Sequence, residues 1–244
     1  MTYCVALRLD RGLVFMSDTR TNAGLDNIST YRKMFTWAEP GECVVTIMTA
    51  GNLATTQSVV SLIDERMKAP GDRTPSILGL NSMYQVAHLI GQTLREVIAE
   101  AVPTGQEASN KFNASIIVGG QVKGSDPRLF LIYPEGNFVE AGADTPYFQI
   151  GETKYGRPIL VRAFDPDMTF EAAVKLLMVS FDSTIKANLS VGLPLDLQTY
   201  ERDSLAAPTQ RRIEADDPNY AAISENWGDK LKDAFDSLPD VTLD

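Results

Sequence analysis

The chain opens on apolar positions that alternate or run together. Residues 3–9 are rich in strand formers, Asp10-Arg11-Gly12 makes a turn and residues 13–16 resume the run, which predicts a β-hairpin. Polar residues 18–29 read as a loop. Aromatic-rich 31–37, the turn Glu39-Pro40-Gly41 and apolar 43–48 read as a second hairpin. The period then changes. Residues 52–68 carry Val60, Ile63 and Met67 at helical spacing, and residues 82–101 repeat the pattern from Met83 and Val86 to Val97 and Ile98. Two amphipathic helices, antiparallel to each other, are expected.

After a polar linker at 103–111, short strands are predicted at 114–118, 129–133, 137–140 and 147–150, separated by Gly, Pro and Asp turns. Gly119-Gly120 reads as one of those turns. Phe170, Ala173, Val174, Leu177, Phe181 and Ile185 form one stripe, so 169–187 is a helix preceded by the turn Asp165-Pro166-Asp167. Strands at 195–200 and 210–213 and a terminal helix at 218–238 complete the pattern. Blocks of strands between blocks of helices predict a layered α+β domain over 1–244, with one sheet before the helix pair and a second after it. No internal repeat or low-complexity tract interrupts it.

Composition narrows the function. The 22 Lys and Arg against 32 Asp and Glu leave a net charge of −10, the wrong sign for holding a phosphate backbone, so no nucleic-acid partner is expected. Eleven of the acids and five of the bases lie from Glu201 onward, so an acidic extension at about 201–244 carries −6; it is either a solvated face or an edge that docks another subunit. One histidine, His88, and two cysteines, Cys4 and Cys43, do not make a Cys/His zinc site, and neither a metal nor a cofactor is expected. The absence of CxxC, of a basic segment before an early apolar run and of any apolar run of membrane-spanning length predicts a cytoplasmic protein without a membrane partner.

The shortage of histidine also limits the general base of any hydrolase. His88 falls about 140° around its helix from Met83, off the apolar stripe, and reads as a surface residue. GxSxG, HExxH and GxxxxGK[ST] are absent. The second residue offers another route. Removal of Met1, favoured before a residue as small as threonine, leaves Thr2 with an α-amine and a β-hydroxyl, so base and nucleophile share one residue. A retained Met1 would acylate that amine. The hairpin turn at 10–12 brings Asp18 back beside Thr2, and Lys33, set among Tyr31, Met34 and Phe35, is expected to be buried and to need a carboxylate. Asp18 is the obvious partner; the alternative is a surface aspartate and a surface lysine.

Thr2, Ser17-Asp18-Thr19-Arg20 with Gly24, Lys33, and Thr49-Ala50-Gly51 leading into a helix together resemble the proteasome β-subunit family, over most of the chain up to about Tyr200. The resemblance implies a four-layer αββα sandwich of the N-terminal nucleophile hydrolase type and a homo-oligomer, either a closed ring or an open spiral. It implies that Thr2 attacks the carbonyl of a peptide or other amide substrate, that Asp18 and Lys33 tune it, that Arg20 braces Asp18, that the Gly51 N–H serves as oxyanion hole and that Ser190 supports the site. Thr21, Asn22, Thr49 and Leu53 match substrate-binding positions, with Asn22 in place of a usual threonine. Glu152-Thr153 stands where serine is usual, and Ala187 where the family has an aspartate, with Asn188 or Asp182 as stand-ins. Two functions follow: a threonine hydrolase, or an assembly subunit of the same fold with little activity. The chain has no ATPase or unfolding module, and an ATPase partner is left open.

Overall fold

In the computed structural model, which describes residues 2–22, 28–68, 76–101 and 110–242, two five-stranded antiparallel sheets pack face to face between helices. Strands β1 (Tyr3–Leu9) and β2 (Gly12–Asp18) form the predicted hairpin. The segment that follows is not a plain loop. β3 (Arg20–Asn22) and β4 (Ile28–Thr30) pair as a small ribbon, with Thr21 opposite Ser29. Its short polar strands carry no alternation from which to predict them. β5 (Met34–Glu39) and β6 (Cys43–Gly51) make the second hairpin, and α1 (Leu53–Lys68) and α2 (Met83–Ala101) follow.

The strand blocks are not the sheets. β6 pairs along its whole length with β7 (Ala114–Val122), on the far side of the helix pair, from Cys43 opposite Val122 to Gly51 opposite Ala114. β8 (Arg128–Ile132) and β9 (Phe138–Glu140) extend that sheet, whose order is β5-β6-β7-β8-β9. β10 (Tyr147–Gly151) returns to β1, with Gly151 opposite Tyr3. β11 (Leu195–Glu201) lies against β2 and β12 (Thr209–Ile213) against β11, so the other sheet reads β10-β1-β2-β11-β12.

Burial on both faces explains the unbroken apolar runs. Val5, Leu7 and Leu9 of β1 face α4 (Phe170–Ala187), while Cys4 and Ala6 face the other sheet. On β6, Val45 and Ile47 face α1 and α2, and Val44 and Met48 face inward. The layers are therefore helix, sheet, sheet, helix, as expected of the αββα sandwich. Gly119 and Gly120 do not make a turn but sit inside β7. A Cβ on Gly119 would lie 2.7 Å from the Phe15 ring tip, so glycine there lets a ring from one sheet rest on the backbone of the other.

A short helix, α3 (Arg157–Ala163), carries too few turns to display a stripe and went unpredicted. It packs beside α4, and α5 (Pro218–Asp236) also packs against α4, with Tyr220 and Ile223 joining the same apolar cluster. The acidic C-terminal segment thus supplies an edge strand and an outer helix. Among the described residues no helix is long and apolar enough to cross a membrane.

Candidate active site

Thr2 precedes the first strand and is held from both sides of its peptide. Its carbonyl accepts the Glu152 N–H at 2.6 Å, and the next N–H, that of Tyr3, donates to Asp18 Oδ1 at 3.0 Å. The first contact needs glycine at 151, where φ is +84° and a Cβ would strike the Thr2 carbonyl oxygen. Hairpin geometry supplies the second, since antiparallel pairing of β1 and β2 brings Asp18, the last residue of β2, level with the start of β1.

Asp18 is fully buried and Lys33 is 4% exposed. Lys33 Nζ donates to Asp18 Oδ1 at 2.6 Å and to the Arg20 carbonyl at 2.6 Å. Asp18 Oδ2 is buried with no hydrogen-bond partner among the described residues. Burial pushes the Asp18 carboxyl up from its ordinary value, while the Lys33 charge and hydrogen bond and the Tyr3 N–H pull the other way; burial prevails. The expected Asp18–Lys33 contact is therefore present, and it lies one peptide from Thr2.

A cavity of about 120 Å³ opens beside this cluster, lined by Thr2, Thr21, Lys33, Thr49, Gly51 and Leu53, with Arg32, Ala50 and Thr56 completing the wall. The Thr49 N–H donates to the Lys33 carbonyl, on the β5 side of β6. Strand alternation puts the Gly51 N–H on that same side, beyond the start of β5, where the cavity lies. Such a fixed donor stabilises a developing oxyanion without reorganising.

Other residues named from the sequence lie elsewhere. The Arg20 guanidinium does not reach Asp18: it donates to the Leu189 carbonyl at 3.0 Å and lies against Gly192, so its link to the pair is its own carbonyl on Lys33. Ser190 donates its N–H to Asn188 Oδ1 at 3.0 Å and does not line the cavity. Asp182 faces away from Thr2, accepting from Ser224 Oγ at 2.5 Å and pairing with Lys186. Asn188 is the nearer stand-in, because its Nδ2 donates at 3.0 Å to Glu152, whose backbone holds Thr2. His88 is exposed on α2. Met1, Gly24 and the side chain of Asn22 lie outside the described residues.

Sequence reasoning missed the support behind Thr2. Tyr3 is fully buried, its hydroxyl 2.7 Å from Ser180 Oγ and accepting from Gln149 Nε2 at 2.7 Å, while Ser180 Oγ donates to the Gly156 carbonyl. Burial pushes the phenol well up, so it stays neutral. These partners are 146 and 177 residues from Tyr3 in sequence, and no local pattern announces them. Among the described residues no group of three His, Cys, Asp or Glu is placed to hold a metal ion.

The family described as "Proteasome subunit" matches residues 2–193. Among curated proteins none matches the chain. Solved structures agree with the family over the whole length. Anbu (ancestral beta-subunit) from Yersinia bercovieri is 48% identical with a TM-score of 0.92, covering 100% of both chains. Anbu from Hyphomicrobium sp. strain MC1 is 48% identical with a TM-score of 0.91, covering 99% of this chain and 100% of the other. The helical assembly of the Anbu complex from Pseudomonas aeruginosa is 45% identical with a TM-score of 0.90, covering 99% and 98%. With its fold, its buried aspartate–lysine pair, and this likeness, the chain belongs to the proteasome family, in the Anbu branch.

Proposed function

We propose that the chain is a threonine hydrolase that cleaves a peptide or other amide bond from Thr2 once Met1 has been removed. The observation that carries this reading is the placement of Asp18 Oδ1 between the Tyr3 N–H and Lys33 Nζ, beside a cavity lined by both Thr2 and Gly51. The free α-amine takes the Thr2 hydroxyl proton as Oγ attacks the scissile carbonyl, and the Lys33 ammonium favours loss of that proton. The Gly51 N–H receives the oxyanion. As the tetrahedral intermediate collapses, the C–N bond breaks and the proton passes to the leaving amine, leaving an ester on Oγ. Water, deprotonated by the same amine, cleaves the ester and restores Thr2.

Thr21, Asn22, Thr49 and Leu53 hold the substrate in this reading. Assembly of copies into a ring or open spiral is part of it, supported by the helical assembly formed by the Pseudomonas aeruginosa relative. The outer helix α5 and the segment after it expose Leu231, Phe235, Leu238 and Val241, an apolar strip that such an assembly would cover.

Intact mass of the purified chain, followed by an electrophile that traps N-terminal threonine, tests the hydrolase. The expected result is loss of Met1 and one adduct on Thr2, absent in Thr2→Ala. Processed protein that takes no label and turns over no amide would overturn the reading. The outcome would then be an assembly subunit without activity, the second reading motivated by Glu152 and Ala187 at positions where the family carries other groups.

A further inference from the structure

The cavity beside Thr2 has a charge balance opposite to that of the chain. The protein carries −10 overall, yet the cavity wall contains two cations, Arg32 and Lys33, four threonines and no carboxylate. Lys33 is committed, because its ammonium is buried on Asp18 Oδ1 and the Arg20 carbonyl. Arg32, its neighbour in sequence, is exposed. It also lines the adjoining cleft of about 130 Å³, together with Asp196, Arg211 and Arg212. There Arg212 is paired with Asp196 and Arg211 with Asp217. Arg32 has no ion pair or hydrogen bond among the described residues, so it is the uncommitted cation at the lip of the cavity.

We infer that Arg32 selects acidic substrates: the residue whose side chain enters the cavity, immediately before the scissile amide, carries a carboxylate, as aspartate or glutamate does. This deepens the hydrolase reading and rests on it. A guanidinium presents paired N–H donors that match a carboxylate, and with Lys33 balanced by Asp18 the attraction rests on Arg32. The threonine hydroxyls satisfy whichever oxygen the guanidinium leaves free. A basic side chain would meet the unpaired Arg32 guanidinium with no free carboxylate in the wall and be rejected, because the Lys33 charge is already balanced by Asp18, so selection is by repulsion as well as by attraction.

Two measurements test this separately from catalysis. Wild-type turnover is compared on peptides that end in Glu, Gln, Leu or Lys before a fluorogenic amide. Binding of the same sequences as stable peptide amides is measured by calorimetry on Thr2→Ala chains, where no chemistry occurs. The expected result is a preference for Glu over Gln of about tenfold, the effect of a charge-assisted pair discounted for exposure. Lys should be poorest, and the Glu preference should shrink at high salt. Arg32→Gln should abolish the preference and Arg32→Glu should turn it toward Lys, with the fold intact because the side chain is exposed. Glu and Gln bound equally, no binding of either, or a Glu preference that survives in Arg32→Gln would overturn the inference even if the enzyme hydrolyses amides. A Glu preference in binding that depends on Arg32, in a processed chain that neither labels nor turns over, would uphold the pocket and sink only the hydrolase.

Discussion

Lys33 Nζ lies 2.6 Å from Asp18 Oδ1 with both groups out of water, while Asp18 Oδ2 has no hydrogen-bond partner among the described residues. Such a pair is costly to build and costlier to halve. Removing one partner leaves a buried charge with no counter-ion, so Lys33→Met should destabilise the chain by about 3–5 kcal/mol. The double change Asp18→Asn, Lys33→Met should recover most of that loss in urea denaturation. It should not recover Thr2 labelling, which falls about a hundredfold or more in both chains. A double variant as unstable as the single one would mean that the pair holds the fold in some way other than through its charges.

Gly51 joins β6 to α1 with φ at +119°, and a Cβ there would strike the Asn113 carbonyl oxygen and come within 2.7 Å of Ala114 Cα. Both obstacles are backbone, at Asn113 and at Ala114 where β7 begins, and cannot swing away as a side chain could. Gly51→Ala is therefore expected to cost about 2 kcal/mol or more in stability. In the fraction that remains folded, tilting the Gly51 N–H should lower turnover by about two orders of magnitude. Thermal melting and turnover on the same preparation check both; a variant with normal turnover would show that the oxyanion donor lies elsewhere.

What could be read from the chain alone divides by distance. The first hairpin, the amphipathic helices and the need of Lys33 for a carboxylate are local, because each follows from alternation, helical period or the surroundings of one residue. Sheet membership is not local. Nothing in residues 43–51 says that their partner is 114–122 rather than the preceding hairpin, and apolar runs buried on both faces look alike in either sheet. Arg20 shows the same limit within the site: its acceptor, the Leu189 carbonyl, is 169 residues away. The Gly119-Gly120 pair looks like a turn from the chain alone because what demands its glycines is distant: the Phe15 ring of the other sheet at Gly119 and the Val44 backbone of β6 at Gly120.

The gap at Gly119 makes its own prediction. Gly119→Ala forces a methyl to within 2.7 Å of the Phe15 ring, and the neighbouring Leu129 Cδ1 lies only 3.0 Å from the same point. Overpacking of this kind costs about 1–3 kcal/mol. Phe15→Leu alone should also destabilise, by leaving space between the sheets. Combined, the two changes should cost less than their sum, since each relieves the other. Equilibrium denaturation of the four chains measures the coupling, and strict additivity would mean that the ring does not rest on Gly119.

Asp217 caps α5. Its Oδ1 accepts the N–H groups of Asn219 and Tyr220, each at 3.0 Å, and Arg211 pairs with its other oxygen. Burial on its own raises the carboxyl, but the Tyr220 N–H, the Arg211 charge and hydrogen bond, and the Asn219 N–H outweigh it and hold it below the ordinary value of 3.8. The folded state therefore favours the ionised form. This contribution is fully present above the unfolded value and is lost as pH falls through the lower folded value. Asp217→Ala should thus loosen α5 by about 1 kcal/mol at neutral pH, visible as faster amide exchange along the helix. The gap between the two chains should stay level down to about pH 5 and narrow below about pH 4. Asp217→Asn, which keeps an accepting oxygen without the charge, should lose less and show a flatter pH dependence. A gap between Asp217→Ala and the parent that stays constant to the lowest pH at which both remain folded would show that the carboxylate's charge contributes nothing to docking the helix.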